Sequence, residues 1–120
     1  MVVEFNSSPT TSKTNNGPSF GVAQTLFNIM KFHLGQVVVT KTAQSTFTMF
    51  ELLQCLHRHI RCDWGTLVRE DKLANNRALK TGDRILSSYV IRGKNLWIIT
   101  DAEDDNGVRA YTTLLLPSDY

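Results

Sequence analysis

The order of apolar and polar positions separates a polar front segment from the rest of the chain. Residues 6–19 read NSSPTTSKTNNGPS, a stretch without aliphatic side chains. Such a segment cannot bury enough apolar surface to offset the entropy that is lost on ordering. We therefore expect residues 1–19 to form a flexible extension, from which Val2, Val3 and Phe5 could dock as a short strand. Residues 20–120 are predicted to form a single domain.

The first predicted helix runs from Phe20 to Leu34, and Gly35 is a suitable C-terminal stop. Its aliphatic stripe recurs with helical spacing at Val22, Leu26, Ile29 and Met30. Three aromatic residues widen this apolar surface: Phe20, Phe27 and Phe32. We expect the helix to lie over the sheet or to present these side chains to a partner. In the second case, the partner is either a second copy of the chain in a homodimer or a target protein that the monomer binds through this helix.

Two further helices are predicted in the middle of the chain. One runs from about Phe47 to Ile60, with Thr48 and Glu51 spaced as a capping box. Its predicted inward stripe is Met49, Leu53, Leu56 and Ile60. The other covers Val68 to Lys80, with Gly82 as its stop and two inward residues, Leu73 and Leu79.

The pattern changes from helical to strand-like after Gly82. Strands are predicted over Arg84 to Ile91, Leu96 to Asp101 and Arg109 to Leu116. Tight turns are predicted at Gly93-Lys94-Asn95 and, because Asn and Gly tolerate positive φ, at Asn106-Gly107. The fold class is thus α+β: two to three helices on one face of a small antiparallel sheet with a C-terminal three-stranded meander. A short β-branched run, Val37 to Thr40, could extend that sheet.

Composition is that of a globular protein of one-domain length. The chain has 120 residues, of which 42% are hydrophobic and 20% charged. No apolar run reaches the roughly 18 residues that span a bilayer, and residues 1–5 lack the pattern of a secretory signal. We therefore expect a cytoplasmic protein without a membrane span. Cys55 and Cys62 are expected to be free thiols, since seven helical residues separate them by about 10 Å.

Six short motifs occur between Gly35 and Tyr120: GQVVVT, His59 with DWG, EDKLANNRAL, RILSSY, LWIIT and TTLLLPSDY. In combination, this stretch resembles a group of short uncharacterised proteins encoded on plasmids and other mobile elements. The resemblance covers about the last 86 residues. It implies an accessory protein of a mobile element and implies no particular reaction.

Charge is distributed unevenly along the chain. Residues 57–94 hold nine Lys/Arg and four Asp/Glu, a balance of +5, whereas residues 95–120 hold one Arg and five Asp/Glu, a balance of −4. The basic middle segment could contact an acidic protein or nucleic acid, although solvated helix faces have the same composition. Its candidate partner-binding residues are Arg58, Arg61, Arg69, Lys72 and Arg77.

Several residues suggest chemistry without forming a specific motif. Cys55, His59 and Cys62 are zinc-ligand types, but their helical spacing is too long for one tetrahedral ion, so we expect no metal and no cofactor. The acidic tip at residues 101–105 does not match a calcium loop. Acid–base groups for RNA cleavage could come from His57, His59, Arg61 and Asp63, together with Arg84, Arg92 and Lys94. Trp64 and Trp97 are interpreted as structural.

These observations predict a binding module rather than a catalyst. The leading hypothesis is a phage or mobile-element accessory protein that binds and inhibits a host defence complex, of the anti-CRISPR or anti-restriction type. The alternatives are a small toxin-like ribonuclease and a nucleic-acid-binding accessory protein.

Overall fold

The computed structural model describes residues 2–3, by their backbone, and residues 30–120. Val2 and Val3 form the short strand that the sequence pattern allowed, and they pair antiparallel with Val38 and Val37. The rest of residues 1–19 and most of the predicted helix from Phe20 to Leu34 lie outside the described residues. Where that helix can be checked, over Met30–Leu34, the prediction is wrong because the backbone there is not helical. Instead this segment leads directly into a strand, since the Gln36 N–H donates to the carbonyl of Ala110 at 2.9 Å.

The described elements make one sheet and three α-helices. In chain order they are β1 (Val2–Val3), β2 (Gln36–Val39), α1 (Lys41–Thr46), α2 (Met49–Ile60), α3 (Arg69–Thr81), β3 (Ile85–Ile91), β4 (Lys94–Thr100), β5 (Tyr111–Leu115) and a 3-10 helix (Pro117–Asp119). The strand order is β1-β2-β5-β4-β3. The α+β class and the antiparallel C-terminal meander are confirmed. The sheet is mixed in one place, because β2 runs parallel to β5.

Gly35 has a different role from the predicted helix stop. Its φ is +65°, and a Cβ atom at this position would lie 2.3 Å from the carbonyl oxygens of Arg109 and Ala110. Only glycine fits where the chain enters β2 this close to the segment before β5. The residue therefore sets the parallel β2–β5 pairing.

Side-chain caps define where α1 and α2 begin. Thr40 Oγ1 accepts a hydrogen bond from the Ala43 N–H at 3.1 Å, which starts the six-residue helix α1 that the sequence pattern did not indicate. The predicted capping box of α2 is confirmed. Thr48 Oγ1 accepts from the Glu51 N–H at 3.1 Å, and Glu51 Oε1 accepts from the Thr48 N–H at 2.9 Å.

The buried side of α2 only partly matches the prediction, since Leu56 and Ile60 face the core as predicted. The residues that face the core are Leu52, Cys55, Leu56, His59 and Ile60. Met49 and Leu53, predicted inward, are 46% and 51% exposed. At 100° per residue the helix is rotated by roughly 60° from the prediction. The rotation follows from His59, whose ring bonds to hydroxyls of β3 and β4 and so turns this side inward.

Helix α3 packs against the outer edge of β3. The Asn75 side chain donates to the carbonyl of Leu86 at 2.6 Å and accepts from the Leu86 N–H at 3.2 Å, so it pairs with β3 as another strand would. Leu73, predicted inward, is exposed, while Leu79 is partly buried. The predicted stop is confirmed, because Gly82 has a φ of +82° and its N–H donates to the carbonyl of Ala78.

The C-terminal end of α3 is fixed by one buried cation. The guanidinium of Arg109 donates to the carbonyls of Asp83, Asp101 and Ala78 at 2.7, 2.9 and 3.1 Å. These three carbonyls belong to the end of α3, the entry to β3 and the exit of β4. Arg109 therefore holds α3 in place against the meander.

Both hairpins form close to their predicted positions. The β3–β4 turn consists of Arg92 and Gly93, which both have positive φ, so it begins one residue earlier than predicted and Lys94 belongs to β4. In the β4–β5 connection only Gly107 has positive φ. There the Asp104 carboxylate accepts from the N–H groups of Asn106 and Val108, so Asp104, and not a left-handed Asn106, shapes the turn.

The core lies between the helices and one face of the sheet. Strand residues on that face include Val37, Val39, Ile85, Tyr89, Leu96, Ile98 and Leu114. They pack with Ala43, Phe47, Leu52, Leu56, Trp64 and Ala78 from the helical half. Side chains that lie on the outer surfaces of α2 and α3 are thus available for other contacts.

Candidate functional site

His59, the residue at the centre of the predicted ribonuclease and zinc sites, is fully buried. Its Nδ1 lies 2.6 Å from Ser87 Oγ and its Nε2 lies 2.9 Å from Thr100 Oγ1. Thr100 Oγ1 is 2.8 Å from Thr112 Oγ1, which donates to the carbonyl of Leu34 at 2.7 Å. The network thus links α2 to β3, β4, β5 and the segment before β2.

The Leu34 carbonyl at one end of this network can only accept a hydrogen bond, and this fixes which atom donates in each of the other bonds. The Thr112 proton is used on the Leu34 carbonyl, so Thr100 must donate to Thr112. Thr100 Oγ1 therefore accepts from His59, which carries its proton on Nε2, and Ser87 donates to Nδ1. Burial lowers the pKa of His59 to about 3, so the ring is neutral near neutral pH. A neutral, fully paired and inaccessible imidazole supports the fold.

The other predicted acid–base groups do not converge with His59. The Asp63 carboxylate binds the guanidinium of Arg58 at 2.7 Å, and Arg92 binds Glu51 at 2.7 Å. Arg84 donates to the hydroxyl of Tyr120 at 2.6 Å. His57, Arg61 and Lys94 are exposed at the surface. The structure therefore does not assemble the residues predicted for RNA cleavage into one site.

The two cysteines are free thiols of different exposure. Cys55 is buried on the inner side of α2 and Cys62 is half-buried just after the helix. Burial raises the pKa of both thiols above the usual value. Within residues 30–120, no three metal-ligating side chains come close enough to hold an ion, and both ring nitrogens of His59 already have partners.

The predicted partner-binding residues differ in exposure and in their contacts. Phe32 is wrong as a partner contact, because it is 8% exposed and packs edge-on against the His59 ring at 5.2 Å. Phe20 and Phe27 lie outside the described residues. Arg58 is at the surface, but it is paired with Asp63 and stacked over the Tyr89 ring at 4.6 Å. The remaining four are exposed: Arg61, Arg69, Lys72 and Arg77.

An exposed apolar face on α2 was missed by the sequence analysis. Met49, Phe50 and Leu53 are 46%, 68% and 51% exposed and lie together on one side of the helix. Beside them is an open groove of about 620 Å³. Its lining includes Phe50, Leu53, Gln54, His57, Arg58 and Ile91. The available signal was the apolar excess of MFELLQCL, which holds more apolar residues than one inward stripe needs.

The charges next to this groove are mostly matched. The hydrogen bonds from Arg92, at 3.0 Å and 2.7 Å to the two carboxylate oxygens, lower the pKa of Glu51 to about 2. Arg58 similarly lowers the pKa of Asp63, with a smaller contribution from Lys72. Arg61 forms no ion pair with any described residue. The unmatched charge beside the apolar face is therefore positive.

Comparison with known proteins adds no functional assignment. No helix in the described part of the chain is long and apolar enough to cross a bilayer. No protein-family model, curated protein or solved structure matches the chain.

Proposed function

We propose that the chain is a protein-binding module, an accessory protein of a phage or mobile element that acts in the cytoplasm by binding and inhibiting a host defence complex of the CRISPR or restriction type. The resemblance of residues 35–120 to proteins of mobile elements motivates the choice of target. The observation that carries the proposal is the exposed apolar face formed by Met49, Phe50 and Leu53 on α2.

Folding does not account for this face. The inner side of α2 already fills the core with Leu52, Leu56 and Ile60, whereas Phe50 is two-thirds exposed. Covering one Phe or Leu side chain contributes roughly 1.5–3 kcal/mol. Aromatic and Met side chains grouped beside a groove are the usual anchors of protein interfaces.

The surroundings of the face indicate the chemistry of the partner. Glu51 and Asp63 are paired with arginines, while His57 and Arg61 at the C-terminal end of the face are exposed. A partner segment with one or two apolar anchors followed by carboxylates matches this arrangement. The ribonuclease alternative has no comparable support, because His59 is inaccessible and paired.

A plasmid- or phage-challenge assay tests the proposal. We expect that co-expression with a panel of CRISPR and restriction systems restores entry of a targeted plasmid or phage for at least one system. Phe50→Asp should abolish the rescue, since it places a charge in the middle of the apolar face. The substitution should not disturb folding, because acidic residues are favourable in the first turn of a helix.

Val108→Asp is the matched control. Val108 is 53% exposed on the β4–β5 loop, away from α2, so this variant introduces the same charge at another exposed apolar position. It should retain full rescue. Absence of rescue by the unmodified chain across all CRISPR and restriction classes would contradict the proposed function. Equal loss in both variants would contradict the role of the α2 face.

A further inference from the structure

The outward side of α3 is a continuous stripe of hydrogen-bond donors, here called the donor stripe. Its members follow the spacing i, i+3, i+4, i+7, i+8, i+11 and are Arg69, Lys72, Leu73, Asn76, Arg77 and Lys80. All six are exposed, while Asn75 and Ala78 face the protein. At 1.5 Å per residue the stripe is about 16 Å long.

The cations of the donor stripe form no close pairs with neighbouring carboxylates, although Lys72 interacts with Asp63 at longer range. None of its four Lys and Arg side chains forms an ion pair with residues 30–120. The acidic residues of α3, Glu70 and Asp71, are both in its first turn, where they favour the helix N-terminus. Both are exposed. Given 100° per residue, Glu70 lies at the margin of the stripe and Asp71 points away from its centre.

Asn76 supplies the second observation. The indole Nε1 of Trp64 donates to Asn76 Oδ1 at 3.0 Å. This bond uses one lone pair of Asn76 Oδ1, the only side-chain acceptor of the stripe, and leaves the Asn76 amide NH₂ at the surface, between the flanking cations. Every other polar side chain in the stripe is a Lys or an Arg, which can only donate. The surface therefore fits a ligand that presents closely spaced acceptors and few donors.

We propose that the donor stripe binds the phosphate backbone of duplex DNA. A duplex presents one negative charge per roughly 1.7 Å of its axis, so about 16 Å of helix faces an acceptor-rich surface along its whole length. The inference is independent of the α2 face and of the defence-inhibitor function.

The position of α3 favours B-form DNA over RNA. The helix covers the outer edge of the sheet through Asn75, and its outward side is exposed. A helix of this kind fits the major groove of B-form DNA, about 12 Å wide, whereas the major groove of A-form RNA is too narrow for it. Leu73, the single apolar member of the donor stripe, is suited to contact a thymine methyl group or a sugar.

Fluorescence anisotropy with a labelled DNA duplex of about 20 base pairs tests the proposal on the full chain. We expect the logarithm of the association constant to fall with the logarithm of the salt concentration with a slope of about −3.6, or −0.9 for each of four cations. Arg69→Gln/Arg77→Gln should reduce this slope by about 2 and weaken binding about tenfold or more at low salt.

Two controls make the test specific. Lys41→Gln/Lys94→Gln removes the same net charge from exposed positions outside the stripe and should bind within about twofold of the unmodified chain if local contacts dominate. Phe50→Asp should bind DNA normally, which separates failure of this inference from failure of the defence-inhibitor function. Circular dichroism of each variant checks that it is folded.

Several outcomes would overturn the assignment to DNA. The first is that the chain does not bind the DNA duplex at about 50 mM salt. The second is that the stripe variant and the control variant weaken DNA binding equally. The third is that the chain binds an RNA duplex of the same sequence as tightly as the DNA duplex, or more tightly. Competition by polyglutamate as effective as that by DNA of equal charge would assign the donor stripe to an acidic protein instead. Preference for the DNA duplex together with loss only in the stripe variant would establish the inference.

Discussion

The buried imidazole of His59 makes the stability of the protein depend on pH. Its pKa is lowered from 6.5 to about 3 by burial. Above pH 6.5 the ring is neutral in the folded and unfolded states, so it contributes no pH dependence. Below pH 6.5 the unfolded chain binds a proton that the folded chain does not. The free energy of unfolding therefore falls as the pH falls through 6.5, and it continues to fall until about pH 3.

We expect this free energy to decrease by up to about 1.4 kcal/mol per pH unit below 6.5, as measured by urea titration between about pH 7 and pH 5. His59→Gln keeps hydrogen-bonding capacity toward Ser87 and Thr100 but cannot take up a proton. It should be less stable at neutral pH and show a flatter profile in this range. The range lies above the ordinary pKa values of the Glu51 and Asp63 carboxyls, 4.5 and 3.8, so their protonation in the unfolded chain contributes little there. An unchanged slope in His59→Gln would show that other groups cause the pH dependence.

At the scale of elements, local signals in the sequence predicted the existence and type of α2, α3 and the meander strands, but they missed α1 and did not predict the orientation of α2. The capping residues Thr48 and Glu51, the stop at Gly82 and the β-branched runs of the meander all act within a few residues, and the elements they predicted are present. The inward side of α2 depends on partners far along the chain, since Ser87 and Thr100 bind His59. The pattern of apolar residues along the chain contains no information about the buried hydrogen-bond network around His59.

The same limit applies to the candidate sites. Exposure of Arg69, Lys72 and Arg77 agrees with their predicted availability, because surface cations on a helix are evident from composition. The apolar face at Phe50 became visible only when the rotation of α2 was known. The role of Asn76 depends on Trp64, twelve residues away, whose indole fixes the amide. Such contacts are properties of the assembled fold.

Asn75 is expected to be the most sensitive polar residue of α3, since its amide pairs with both backbone groups of Leu86. Asn75→Asp retains the shape but removes the donor and leaves the Leu86 carbonyl without its partner. We expect a loss of about 1–3 kcal/mol in the free energy of unfolding, the usual cost of an unsatisfied buried group. Chemical denaturation followed by circular dichroism measures it.

Asn76→Asp is the matched control for this prediction. It introduces the same charge one residue further along α3 and keeps an acceptor for the Trp64 indole. Since Asn76 is exposed among cations, its replacement should change stability by less than about 0.5 kcal/mol. Equal losses in the two variants would mean that the charge, and not the edge pairing with β3, causes the effect.

At the scale of the whole molecule, two chemically different surfaces lie on neighbouring helices: the apolar face of α2 and the donor stripe of α3. The core and the Arg109 guanidinium hold α2 and α3 on the same sheet. The apolar face of α2 suits a protein, and the donor stripe of α3 suits a polyanion. A defence complex that contains both protein and nucleic acid presents both kinds of ligand, and engaging them together would increase affinity beyond that of either surface.

The same distribution of charge bears on self-association. An isologous dimer through the α2 face would bring together two copies of the same patch, each with the exposed and unpaired cation Arg61 at its C-terminal end. Their acidic neighbours are already paired with Arg58 and Arg92, so repulsion between like charges opposes this dimer. We therefore expect no self-association through α2 at about 100 μM protein and moderate salt.

Sedimentation equilibrium of the unmodified chain and of Phe50→Asp tests this expectation, and both should have the same average mass. A dimer of the unmodified chain that dissociates in Phe50→Asp would assign the apolar face to a second copy of the chain. A dimer that persists in both would instead place the contact outside this face, where residues 20–29 are the next segment to test.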